Sequence, residues 1–220
     1  MSAAYGEERR RFGVMDIVDC LFVEVFDTLN KRCAKELEVI NKIDLFEISS
    51  TYGSHYDLHL KRVFKCLNYV FCLLEEAGID VDPFKNLSIE TEQKLGHLVL
   101  RKYGTEFYIL HRYPLTLRSF YTKPCVDDSK YSNSFDVFLR GEKFMTGAHH
   151  IHEHELLAER ARACGMDVNT ISTYIGCFRY GTPPHDGFGG QFECVVKLFC
   201  ALDDIRETSL FPHDPQRLEP

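Results

Sequence analysis

A basic excess is missing from this chain. It carries 26 Lys and Arg against 33 Asp and Glu, a formal net charge of -7. Strong non-specific nucleic-acid binding needs cations to neutralise phosphates, so strong non-specific RNA binding is not expected. No C-x-x-C pair occurs among the nine cysteines, and their odd number suits no closed disulfide framework. With no secretory signal, they read as reduced thiols of a cytosolic protein. No apolar run approaches the roughly 18 residues that would mark a membrane span. The opening MSAAYGEERRR lacks an apolar core and carries two glutamates, so a targeting peptide is not expected. Repeats and low-complexity linkers are also absent. No Ser–His–Asp or Cys–His relay can be placed from spacing.

What is present reads as globular. A chain of 220 residues with 45% hydrophobic content suggests one or at most two domains. A complete chain of this length buries roughly 70% of its unfolded surface. The most organised stretch runs from Tyr180 to Leu202. Gly187-Phe188-Gly189-Gly190 leads into Phe192, Val195, Val196, Phe199 and Leu202 at helical spacing, with Glu193 and Lys197 on the wetter side. Glycines ahead of a helix can let backbone N–H groups approach a phosphate. Glycines that serve close packing give the same signal.

Upstream, Val14, Ile17, Val18, Leu21, Phe22, Val25, Phe26 and Leu29 form one stripe, which predicts a single core-packing helix over Val14–Ile40. Ile43–Ser54 is ambiguous and ends in a Ser/Thr/Gly loop. A second amphipathic helix is predicted over Lys61–Ala77, with Gly78 at its C-terminus. A third spans Ile89–Lys102, capped by Ser88 and ended by Gly104. Glu106–His111 reads as a buried strand and Arg118–Thr122 as a short one. Phe135–Phe144 reads as a hairpin turning at Arg140-Gly141. Helices follow at Glu153–Ala163 and Val168–Ile175. Helices first and strands later predict an α+β fold.

Several runs then carry a resemblance. KLGHLVLRKYGTEFYILHRYPL, YSNSFDVFLRGEKFMTGAHHIH, FRYGTPPHDGFGG and the closing IRETSLFPHDPQRLEP resemble the C-terminal part of aspartyl-tRNA synthetases of the eukaryotic/archaeal type. These are class II aminoacyl-tRNA synthetases. The similarity is strongest from about Asp82 and extends faintly back to Glu7. It implies a partial class II antiparallel sheet flanked by helices. Residues 7–104 would be mainly helical, and 105–220 would hold the sheet and third-motif region. It further implies a chain that begins after the family's second motif, without an anticodon-binding OB domain.

The family activates an amino acid on the α-phosphate of ATP, with arginine clamps and Mg²⁺ supplying charge. The resemblance places the ATP and Mg²⁺ site at Asp136, Glu142, Lys143, Thr146, Gln191, Phe192, Glu193 and Cys194. It places aspartate binding at Thr146 and His150. Several of these depart from the family pattern. GEE reads Gly141-Glu142-Lys143, so a cation replaces a Mg²⁺ ligand. At about 4 Å and a dielectric near 20 a unit charge is worth roughly 4 kcal/mol, doubled against a divalent ion before screening. Asp136 is the one metal position retained. SGAQRIH reads Thr146-Gly147-Ala148-His149-His150-Ile151-His152, so an imidazole replaces a carboxylate-gripping arginine. GLER reads Gln191-Phe192-Glu193-Cys194, which removes an arginine whose loss costs on the order of 10²–10³ in rate. Thr146 keeps a hydroxyl and Glu193 an acid. Ser119, Lys123 and His213 are further departures. His149, His150, His152 and His154 cluster, and on a strand His150, His152 and His154 would face one way, but a helix is predicted from Glu153, and no Zn²⁺ site is expected.

These departures imply a degenerate paralogue, inactive in catalysis and acting through protein binding. Its partner would be a full-length synthetase subunit or a second copy of itself. ATP and Mg²⁺ binding would be weak or absent. The alternative is a ligase or an ATP-binding module with residual activity.

Overall fold

Alternation along two neighbouring strands decides the architecture. In β2 (Phe107–His111) and β3 (Ser134–Leu139) every residue is buried, so both faces of the sheet are covered. Phe107, Ile109, Phe135, Val137 and Leu139 point into one core; Tyr108, Leu110 and Phe138 point into another. The computed structural model describes residues 2–44 and 63–212.

The first core is roofed by α1 (Ser2–Arg32), α2 (Ala34–Asp44) and α7 (Phe192–Cys200). The second is covered by α3 (Leu67–Glu76) and α4 (Ile89–Tyr103). A satellite core forms between α5 (His154–Ala163) and α6 (Ser172–Cys177). Among the described residues the sheet has five strands in sequential order, with β1 (Phe64–Cys66) and β5 (Asp186–Gly190) at its edges. β1 runs parallel to β2, which a hairpin cannot achieve; α3 and α4 supply the crossover. The other three pairings are antiparallel, and β4 spans Glu142–His149.

Local chemistry explains the boundaries. Ser88 Oγ accepts the N–H of Thr91 at 3.2 Å and starts α4, while Gly104 at φ 65 ends it. Arg140 and Gly141 both take positive φ, 52 and 78, the pattern of a tight I′ hairpin turn. Gly147 is demanded by packing, because a Cβ there would lie 2.3 Å from the Phe135 ring.

Several expectations are corrected. The Val14–Ile40 helix is two helices, bent at Cys33. Its buried face holds Met15, Val18, Phe22 and Phe26, while Ile17 and Leu21 face outward, because the contact with the sheet is narrower than the apolar stripe. The helix expected over Lys61–Ala77 forms only as α3, and Phe64–Cys66 before it are the strand β1, with Phe64 and Cys66 paired to Ile109 and His111. Arg118–Thr122 is not a strand: a 3-10 turn at Leu115–Leu117 precedes it, and a single bridge joins Thr122 to His150. The Val168–Ile175 helix forms only at Ser172–Cys177. On α7, Val195, Leu198, Phe199 and Cys200 are buried and Phe192 is exposed. Not all expectations change: Gly187–Gly190 is a strand of the sheet, as expected, and lies in β5, where a Cβ on Gly190 would meet Phe144 O at 3.1 Å. The Ser49–Ser54 loop and His213 lie outside the described residues.

Candidate functional site

The site is built around one buried acid and one irregularity in the sheet. Asp136 lies on β3, on the face of Phe138, and is 2% exposed. Across the ladder Asp136 pairs with Thr146 and Val137 with Met145, but Phe138 pairs with Lys143. Phe144 is therefore the extra residue of a β-bulge. A bulge switches the alternation of the strand beyond it. Phe144 joins Met145 in the first core, and Lys143 is brought to the face of Asp136.

The carboxylate of Asp136 is enclosed by protein groups. Thr146 Oγ1 donates to its Oδ1 at 2.6 Å. Arg118 Nη2 lies 2.9 Å from the same oxygen, and Lys143 Nζ lies 3.5 Å from Oδ2. Arg118 also donates to Thr146 Oγ1 at 3.2 Å, and its guanidinium sits 3.9 Å over the Tyr113 ring. Burial, and then Asp136 beside it, pushes the Tyr113 hydroxyl well above its ordinary range. Glu92 of α4 is raised by burial and opposed by Lys143.

A cavity of about 430 Å³ opens beside this group. Arg118, Ser119, Tyr121, Thr146 and His150 line it, with Gly187, Phe188 and Gly189 of β5 opposite. His150 follows β4 and packs edge-on against Tyr121 at 4.9 Å and against His185 at 5.1 Å. Burial first, and then His185, lowers its pKa below the ordinary imidazole value. Its neighbour His149 pairs through Nδ1 with Asp186. His154 opens α5 and accepts from Arg179 Nε at 2.9 Å, so the histidines are dispersed. No group of three or more metal-ligating side chains occurs among the described residues.

The structure unites Asp136, Lys143 and Thr146; of the expected site residues, Thr146 and His150 line the cavity, and Asp136 and Lys143 do not. It separates the rest. Glu142 stands opposite Leu139, on the face of the first core, and Lys197 of α7 donates to it at 3.0 Å. Gln191 caps α7, and its Oε1 accepts from Cys194 Sγ at 3.0 Å. Cys194 packs partly on the first core, and burial raises its thiol pKa. Among the described residues, Gln191, Phe192, Glu193 and Cys194 are not part of the cavity lining. Arg118, Tyr113, Tyr121 and His185 were not singled out from the sequence. Arg118 was findable, because it stands directly before Ser119, one of the departures from the family pattern named above.

The lowered pKa of His150 makes stability respond to acid. The folded state holds fewer protons at this ring than the unfolded state, so stability rises with pH. The contribution is complete above the unfolded value of about 6.5 and is lost as pH falls toward the folded value. Wild type should therefore lose melting temperature relative to His150→Gln between neutral and mildly acidic buffer. A gap between the two proteins that ignores pH would contradict this.

A mixed α+β layer with a five-stranded sheet among the described residues, helices on both faces and a cavity against its last two strands matches class II aminoacyl-tRNA synthetases. The family model "tRNA synthetases class II (D, K and N)" matches residues 3–215, and the chain belongs to that family. Within it the chain is aspartyl-tRNA synthetase-like. It is 54% identical over 211 residues to aspartate–tRNA ligase 2, cytoplasmic, of Arabidopsis thaliana, covering 94% of this chain and 36% of that relative. The human cytoplasmic aspartate–tRNA ligase is 41% identical over 94% of this chain and 40% of its own length. Among solved structures, the aspartyl-tRNA synthetase of Entamoeba histolytica superposes with a TM-score of 0.87 at 36% identity, over 95% of this chain and 41% of that one. The chain thus spans well under half the length of these relatives. No helix among the described residues is long and apolar enough to cross a membrane.

Proposed function

We propose that this chain is a cytoplasmic aspartyl-tRNA synthetase-like protein that does not activate aspartate and acts by binding protein. The observation that supports this is the spent state of the charges around the cavity. Arg118 is committed to Asp136 and Thr146, and Lys143 is committed to Asp136. His150 is an uncharged ring at neutral pH, since its pKa lies below the ordinary value. A phosphate or a carboxylate entering here meets cations already paired with Asp136, although Nε and Nη2 of Arg118 make no hydrogen bond. Phosphoryl chemistry depends on such preorganised charge, so ATP and Mg²⁺ bind weakly or not at all. The partner is a full-length synthetase subunit or a second copy of the chain, and tRNA is not a ligand. The open cavity of about 430 Å³ favours the alternative, an ATP-binding module or ligase with residual activity.

Aspartate-dependent ATP–pyrophosphate exchange tests the choice. The expected rate equals that of a no-protein control. Exchange clearly above that control, dependent on aspartate, would overturn the proposal and establish the alternative. Sedimentation of the chain alone and with a full-length aspartyl-tRNA synthetase tests the partner. A monomer that ignores the synthetase would remove the protein-binding half of the reading.

A further inference from the structure

The family implies a divalent ion at Asp136, and the residues around it do not fit one. A hard cation such as Mg²⁺ requires near-octahedral oxygen ligation. Asp136 Oδ1 is already engaged by Thr146 at 2.6 Å and Arg118 at 2.9 Å. Its Oδ2 faces the Lys143 ammonium at 3.5 Å. Glu142, the nearest carboxylate along the strand, is on the opposite face and bonded to Lys197. Glu92 approaches from α4, but its largest perturbation is burial, which disfavours the charged form a metal would need.

We propose that Lys143 is the resident cation of this site: a tethered ammonium, aimed by the bulge at Phe144, that compensates Asp136 and excludes divalent ions. Two observations support it independently. The first is the ion contact with a carboxylate that is 2% exposed. The second is the register shift, without which position 143 would share the core-facing side of Met145. Lys143 itself is 42% exposed, so its charge stands at the mouth of the site, where an arriving ion would meet it. The inference deepens the reading of an inactive site but is measured without nucleotide or turnover. Either can therefore fail alone.

Mn²⁺ binding, followed by electron paramagnetic resonance on the purified chain, provides the test. Wild type should show no saturable site at millimolar Mn²⁺. Lys143→Glu should bind one Mn²⁺ at least about tenfold more tightly, because affinity at such sites follows the count of charged oxygen ligands. Mg²⁺ should displace that ion, and adding Asp136→Asn should abolish the site. A saturable sub-millimolar site in wild type would overturn the proposal. So would a Lys143→Glu protein that melts cooperatively yet gains no affinity. If Lys143→Glu does not fold, Lys143→Gln decides. It removes the cation without adding repulsion, and it should still bind Mn²⁺ several-fold more tightly than wild type. No gain in that variant would equally overturn the inference.

Discussion

Arg118→Met lowers the unfolding free energy by about 3–5 kcal/mol, the usual result of breaking a buried ion pair from one side. The substitution leaves the Asp136 carboxylate, 2% exposed, with Thr146 and the more distant Lys143. It also removes the guanidinium stacked 3.9 Å over Tyr113. At about 2–4 °C per kcal/mol for a chain of this size, the melting temperature falls by roughly 6–20 °C. Removing both charges, as Arg118→Met with Asp136→Leu, should recover more than half of the loss, because the penalty lies mainly in the orphaned carboxylate. Arg118→Lys keeps the charge but loses the fork and the stack, and should fall between. Chemical denaturation of the four proteins gives the comparison. A loss below about 1 kcal/mol for Arg118→Met would show that Asp136 finds water or another partner, and the description of the site would have to change.

Phe26→Ala is the second large effect. Phe26 is fully buried, stacked on Phe199 at 5.2 Å and set edge-on to Phe107 at 6.2 Å. Truncation leaves a cavity where α1, α7 and the sheet meet, at a cost of about 3–5 kcal/mol. Ile17 lies on the same helix and in the same apolar stripe, yet it is 62% exposed. Ile17→Ala should cost less than about 0.5 kcal/mol. The contrast reports how α1 is turned against the sheet. Equal losses at the two positions would mean that the helix is seated as the stripe alone places it.

Those two residues also show how far the sequence could be read. Helix periodicity places Phe26 and Ile17 on one broad stripe, because it records hydrophobicity and not what lies opposite. Only the sheet's dimensions select the inner part of the stripe and leave Ile17 outside. The capping of α4 was legible for the opposite reason. Ser88 and Gly104 act on backbone within a few residues, so their chemistry is local. The Arg140-Gly141 turn was legible on the same ground. β1 was not, since Phe64–Cys66 becomes a strand only by pairing with Phe107–His111 more than forty residues later.

The candidate site divides along the same line. The residue types that replace the family pattern, Lys143, His150 and Cys194, are legible position by position from the motifs. Their geometry is not. Strict alternation from Asp136 and Thr146 would put Lys143 in the core and Phe144 beside the acid. The bulge reverses them, because a phenyl ring gains more from the first core than an ammonium could. The same shift sends Glu142 to Lys197 on the other face, so Asp136 and Glu142 do not share a site. By itself, then, the sequence determined the family, the α+β class, the local caps and turns, and which chemistry-bearing residues are altered. The tertiary structure alone decided which of those residues meet, since face and register depend on pairing between distant strands and on what each face can bury.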